Sequence, residues 1–170
     1  MMLQPVLLIL MTMMLLGGLL WVAQGFQLLR YARGQIQEAW LELREALLER
    51  REMIPYIVAA VPTRVASVLD VLGNACDLAA NVEGVPECSQ AEGRLSAAIS
   101  RVFVQLDTGA PVDELEMLSS LRDRVKVQEM RIELLKGLYN RQVELFNALQ
   151  RRGAGRVLAS MGVVKFAELF

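Results

Sequence analysis

The chain has 170 residues, with 18 Lys and Arg against 19 Asp and Glu, no histidine, and a formal net charge of −1. That balance argues against a nucleic-acid partner, which needs a basic stripe. The missing imidazole excludes a Ser-His-Asp triad, a Cys-His pair and the Glu-x-x-His ligands of di-iron bundles. Acid pairs such as Glu114 with Glu116, or Glu129 with Glu133, are what any solvated helix face carries. No catalytic, cofactor or metal site is therefore expected, and the protein is expected not to be an enzyme.

The first 29 residues carry no charged side chain. From Val6 to Ala23 the run is apolar apart from Thr12, and as a helix it reaches roughly 27 Å, close to the thickness of a bilayer core. A cleaved signal peptide would need a basic leading region and a small-x-small site, whereas this sequence places Trp21 at that point. Residues 1–29 are thus expected as a transmembrane anchor and residues 30–170 as one domain, since the remaining length suits a single core. Arg30, Arg33 and Arg44 follow the span and no Lys or Arg precedes it, which predicts an outside N-terminus and a cytoplasmic domain. Gly17 and Gly18 are adjacent and lack the Gly-x-x-x-Gly spacing of a dimerising span.

In the domain, Ile36, Trp40, Leu43, Leu47, Ile54, Ile57 and Val61 alternate four and three residues apart, a helical seam with Arg50 standing in an apolar position. Either the Arg50 stem covers apolar surface while its head reaches water, or the charge is buried and paired with a Glu on a facing helix. Glu129, Glu133 and Glu144 are the available acceptors. Pro55 predicts a kink between Arg51 and Pro55, and Pro62 a stop. Thr63 is a candidate cap for a second helix with Val65, Val68, Leu69, Leu72, Ala75, Cys76, Ala79 and Val82 in phase. Glu83–Pro86 is expected as a turn, and Ser89 with Glu92 as a capping box opening a third helix whose Leu95, Ile99, Val102, Phe103 and Leu106 face inward. After a break at residues 107–111, Asp113 and Glu116 open a fourth helix reaching about Arg152. Its seam runs Leu118, Leu121, Val125, Gln128, Ile132, Leu135, Tyr139, Gln142, Phe146 and Leu149. Gly153 and Gly155 are a helix stop, and Arg156–Phe170 is an amphipathic tail. Cys76 and Cys88 lack zinc or redox spacing and are expected as free buried thiols. The fold class is all-α: an N-terminal transmembrane helix, then an antiparallel four-helix bundle with long first and last helices.

Ala39-Trp40, Leu47, Arg50, Ile54-Pro55 and Val58 resemble the first soluble helix of the LemA family. Glu129, Ile132, Tyr139-Asn140, Val143 and Asn147 follow that family's last-helix pattern, with Phe146 in place of its second Tyr, and Leu158, Ala159, Gly162, Phe166 and Phe170 its closing segment. The departures fall at Tyr31-Ala32, at Thr108–Pro111 and at Gly153–Gly155. The resemblance implies a bacterial inner-membrane protein with a long-helix bundle and no settled activity. Its densest positions, Trp40, Arg50, Pro55, Glu129, Tyr139, Asn140 and Asn147, are the structural and interaction candidates. The expected function is a single-pass membrane scaffold binding the lipid bilayer and protein partners, with self-association among them. A ligand sensor or enzyme with a polar pocket, and a lytic or pore-forming membrane protein, are the alternatives.

Overall fold

A computed structural model describes residues 3–60, 66–107, 112–162 and 165–170. Among the described residues all regular structure is helical: α1 (Leu3–Glu52), α2 (Ile54–Ala60), α3 (Ala66–Ala80), α4 (Val85–Asp107), α5 (Val112–Gln150) and α6 (Gly153–Ser160). The expected stop at Pro62 and the cap at Thr63 lie outside the described residues, as does the expected break at 107–111 except for Asp107, which is the last residue of α4. The all-α reading holds, and one helix, α1, is long and apolar enough to cross a membrane. The apolar run and the first seam helix form this one element, because no Pro and no turn signal separates Ala23 from Ile36.

Two compact units make up the chain: Met1–Glu38 with Arg141–Ala167, and Ala39–Asn140 with Glu168–Phe170. In the second, α1 ends one residue before α2 begins. Pro55 has no N–H to give the Arg51 carbonyl, so the helix closes with Met53 N–H on Arg50 O (3.1 Å) and restarts with Tyr56 and Ile57 N–H on Met53 O. Pro55 itself is exposed, whereas Ile54 and Ile57 enter the core. That core joins α2, α3, α4 and α5 through Leu72, Leu95, Ile99, Val102 and Val125. The α5 seam alternates as expected: Leu118, Val125, Ile132 and Tyr139 are buried, and Leu121, Gln128 and Leu135 are half-buried between them.

One expected boundary is corrected. Helix α4 begins at Val85, not at Ser89, so Pro86 occupies its first turn, where the missing N–H has no intrahelical partner to lose. Ser89 therefore lies within the helix, and Glu92 is not a capping residue but a buried one, 3 % exposed.

In the first unit α6 packs on α1. Leu29, Val143, Phe146, Ala154 and Leu158 are buried. Gly25 meets Ala154 so closely that a Cβ on Gly25 would fall 2.4 Å from the Ala154 Cβ. Gly153 turns the chain from α5 into α6 with φ +53°, a left-handed conformation that favours glycine. The expected helix stop is thus a turn into another short helix. Gly155 is needed for space, since a Cβ there would lie 2.2 Å from the Leu149 carbonyl oxygen.

Candidate functional site

Arg50 is 1 % exposed and is the centre of a buried ion network within the second unit. Its Nη2 donates to Glu92 Oε2 and, at 3.4 Å, to the Glu92 main-chain carbonyl. Its Nη1 donates to Glu129 Oε1 at 2.7 Å and to Ser96 Oγ, which in turn donates to Glu129 at 3.1 Å. Arg51 Nη2 takes the remaining oxygen of Glu92. The four charges cancel, which offsets the cost of their burial; Arg50 and Glu92 are enclosed, while Glu129, at 29 % side-chain exposure, and Arg51, at 18 %, reach water in part. Of the two readings of Arg50, the paired one is correct. Glu129 was among the expected acceptors. Glu133 instead faces Lys136 at 3.7 Å, and Glu144 is exposed.

Glu92 was missed because Ser89 and Glu92 read as a capping box, although the seam carries a signal for it. Extending the α4 seam backward from Leu95 puts position 92 three residues earlier, in phase with Ile99, Val102 and Leu106. A second polar interruption behaves similarly: Gln128 Nε2 donates to Ala46 O (2.9 Å) and Glu49 Oε2 (3.0 Å), and Arg131 pairs with Glu49.

Of the remaining candidates, Trp40, Tyr139 and Asn140 gather at an aromatic cluster in the same unit, whereas Pro55 stays at the junction of α1 and α2 and Asn147 belongs to the other unit. Trp40 stacks at a tilt on Tyr139 (5.6 Å between centroids) and Phe170 (5.9 Å), and the Lys136 ammonium stands 5.8 Å from the Phe170 ring. Asn140 clamps both main-chain groups of Phe170: its Nδ2 donates to the carbonyl at 3.2 Å, and its Oδ1 accepts the N–H at 2.8 Å. The Tyr139 hydroxyl donates to Glu168 O at 3.0 Å, and burial, with Glu168 nearby, pushes its pKa above the usual phenol value. Trp40 is half-buried rather than enclosed, because its other flank opens on a cleft.

That cleft, about 560 Å³, is lined by Trp40, Arg44, Leu47, Arg51, Asn81 and Glu83, with Cys88 in its wall. Both cysteines are free, Cys88 buried and Cys76 half-buried, and burial raises both thiol pKa values above 9.0. Among the described residues no three Cys, Asp or Glu side chains converge to hold a metal ion.

The first unit repeats the amide clamp separately. Asn147 binds Ala167 through both main-chain groups at 3.0 Å, and Gln150 Nε2 donates to Lys165 O at 2.9 Å. Helical asparagines that hold an irregular segment by its backbone explain why Asn, a poor helix former, stands inside α5.

These features define an all-helical domain, preceded by a long apolar helix, whose polar residues hold helices and an irregular segment together. The sequence model of the LemA family matches residues 39–170, and the chain belongs to that family. No curated protein matches the chain.

Proposed function

We propose that the protein is a single-pass bacterial inner-membrane protein whose anchor is retained, with its N-terminus outside and a cytoplasmic helical domain that binds protein partners without catalysis. The observation that carries the reading is the state of the apolar run: from Val6 to Leu20 every side chain is exposed, Met14 at 83 %. A stretch of that length and composition without a protein partner finds its solvent in lipid. The direction follows from Arg30 and Arg33 immediately beyond the span. The non-catalytic reading is supported by the use of the buried charges, which satisfy one another. The test is fractionation of native membranes together with a reporter fused after Phe170. Retention through alkaline extraction and cytoplasmic reporter activity are expected, and periplasmic phosphatase activity from that fusion overturns the orientation.

The cleft beside Trp40 favours a second reading, a sensor of a small anionic ligand held by Arg44 against the indole face. A screen of anionic metabolites against the thermal midpoint of the full chain discriminates the two, since a pure scaffold shows no shift.

A further inference from the structure

Charge is divided unevenly between the two units. Met1–Glu38 with Arg141–Ala167 holds seven basic side chains and two acidic ones, a net charge of +5, while the other unit holds eleven basic and seventeen acidic, a net charge of −6. No composition of the whole chain reveals this, because the two cancel to −1.

The basic unit is also the one that carries the apolar span, and its fold sets the level of its arginines. Gly25 is in contact with Ala154, and the Trp21 ring lies against Gly153. Both α1 positions flank Ala23, where the apolar run ends, and Gly25 is only about 3 Å along the helix beyond it. The headgroup layer on each side of a bilayer core is roughly 5 to 8 Å deep. With the span in a membrane, the turn before α6 and the first residues of that helix therefore lie in the headgroup layer, although they are more than a hundred residues from the anchor in sequence.

Their surface suits that place. Arg151, Arg152, Arg156 and Lys165 are exposed, and so are Val157 (43 %), Met161 (70 %) and Phe166 (56 %). The guanidinium of Arg151 rests 5.8 Å from the Phe166 ring centroid. Ala154, Gly155 and Leu158 face inward and leave Val157 on an outer face of α6, while Met161 follows the helix and Phe166 lies on the segment beyond it. Apolar and basic side chains on one exposed surface are the composition of an interfacial helix that binds an anionic leaflet.

We propose that α6, the turn before it and Phe166, which lies beside Arg151, form an anionic-lipid docking surface. Arg151, Arg152 and Arg156 bind lipid phosphates, and Val157, Met161 and Phe166 insert at the headgroup–acyl boundary. The inference rests on the anchor reading but adds a headgroup preference that a bare anchor lacks. Each basic side chain near an anionic surface contributes about fivefold in affinity, so three together are worth about a hundredfold.

The test uses the full chain in nanodiscs of phosphatidylcholine alone and with about one third phosphatidylglycerol, reading amide hydrogen exchange over residues 153–161. Exchange at least about tenfold slower in the anionic discs is expected. The difference should vanish in Arg151→Gln/Arg152→Gln/Arg156→Gln, and also for the unaltered chain at about 1 M salt, where screening shortens to about 3 Å. The salt arm needs no variant and so does not depend on how the triple substitution folds. Equal exchange in both discs, or slowing that salt and substitution leave intact, overturns the docking surface while the anchor stands. A chain that does not enter the discs at all overturns the anchor and this inference with it.

Discussion

Replacing Glu92 by Gln leaves two guanidinium groups without their shared carboxylate. Arg50, 2 % exposed in its side chain, keeps Glu129 and Ser96, but Arg51, at 18 %, loses the one carboxylate it binds among the described residues. Removing one partner of a buried pair costs about 3 to 5 kcal/mol, much of it the cost of the charge left behind. Two observations favour the upper part of that range: both Glu92 oxygens are engaged, and the Nε atoms of Arg50 and Arg51 already have no acceptor. The contrast is Glu129→Gln. That carboxylate is 29 % exposed and its loss leaves Arg50 bound to Glu92, so a charged hydrogen bond of about 1.5 to 3 kcal/mol is the expected cost. For a chain of this size 1 kcal/mol moves the thermal midpoint by about 2 to 4 °C, so a loss of about 4 to 5 kcal/mol in Glu92→Gln should lower it by about 8 to 20 °C. Thermal unfolding of the detergent-solubilised full chain, followed by helical circular dichroism, measures both variants. A Glu92→Gln midpoint within about 2 °C of the parent, or a larger loss for Glu129→Gln, would refute the account of Glu92 as the central anion.

Trp40→Ala should cost about 1 to 3 kcal/mol, less than a fully buried Trp, because the indole is half-buried and makes two ring contacts; denaturant titration reads the difference. Gly155→Ala should destabilise the chain by about 1 to 3 kcal/mol, since the added methyl group meets the Leu149 carbonyl, whereas Gly93→Ala, with open space, should be neutral or stabilising; thermal midpoints compare them. Raised thiol pKa values keep Cys76 and Cys88 protonated in the folded chain while the unfolded thiols ionise near 9.0. Their contribution is therefore fully present below about pH 9 and is lost as pH rises beyond it. Unfolding free energies at pH 8 and pH 10 should fall less steeply in Cys76→Ala/Cys88→Ala than in the parent.

The helices were legible because their burial follows a repeating seam, and the seams of α3, α4 and α5 are the ones the apolar spacing gives. Arg50 was legible as an exception to that spacing, and one of its two carboxylates followed. The other was hidden by local chemistry: Ser89 and Glu92 make a plausible capping box, and Val85-Pro86 a plausible turn, until tertiary packing turns the same Pro into the first turn of α4. The positions of Phe170 and Ala167 on α5 could not be read from periodicity, since an irregular segment has none. The only hint was two asparagines seven residues apart in a helix that had no local use for them. The closeness of α6 to the apolar run lay beyond sequence reasoning, because it depends on two glycine contacts between elements remote along the chain.

The four-charge network around Arg50 also constrains how this domain can diverge over time. Two arginines and two glutamates share their partners, so a change at position 50, 51, 92 or 129 is costly alone and tolerable only alongside a compensating one. Lineages descended from a common ancestor should therefore inherit these positions as a block, either keeping the ionic set or exchanging it for an apolar one. Intermediates holding three of the four charges should be scarce. The same block offers a way to judge distant relatives, since a chain that preserves the helical seam but breaks the set at one position has replaced the missing charge from somewhere else in its fold.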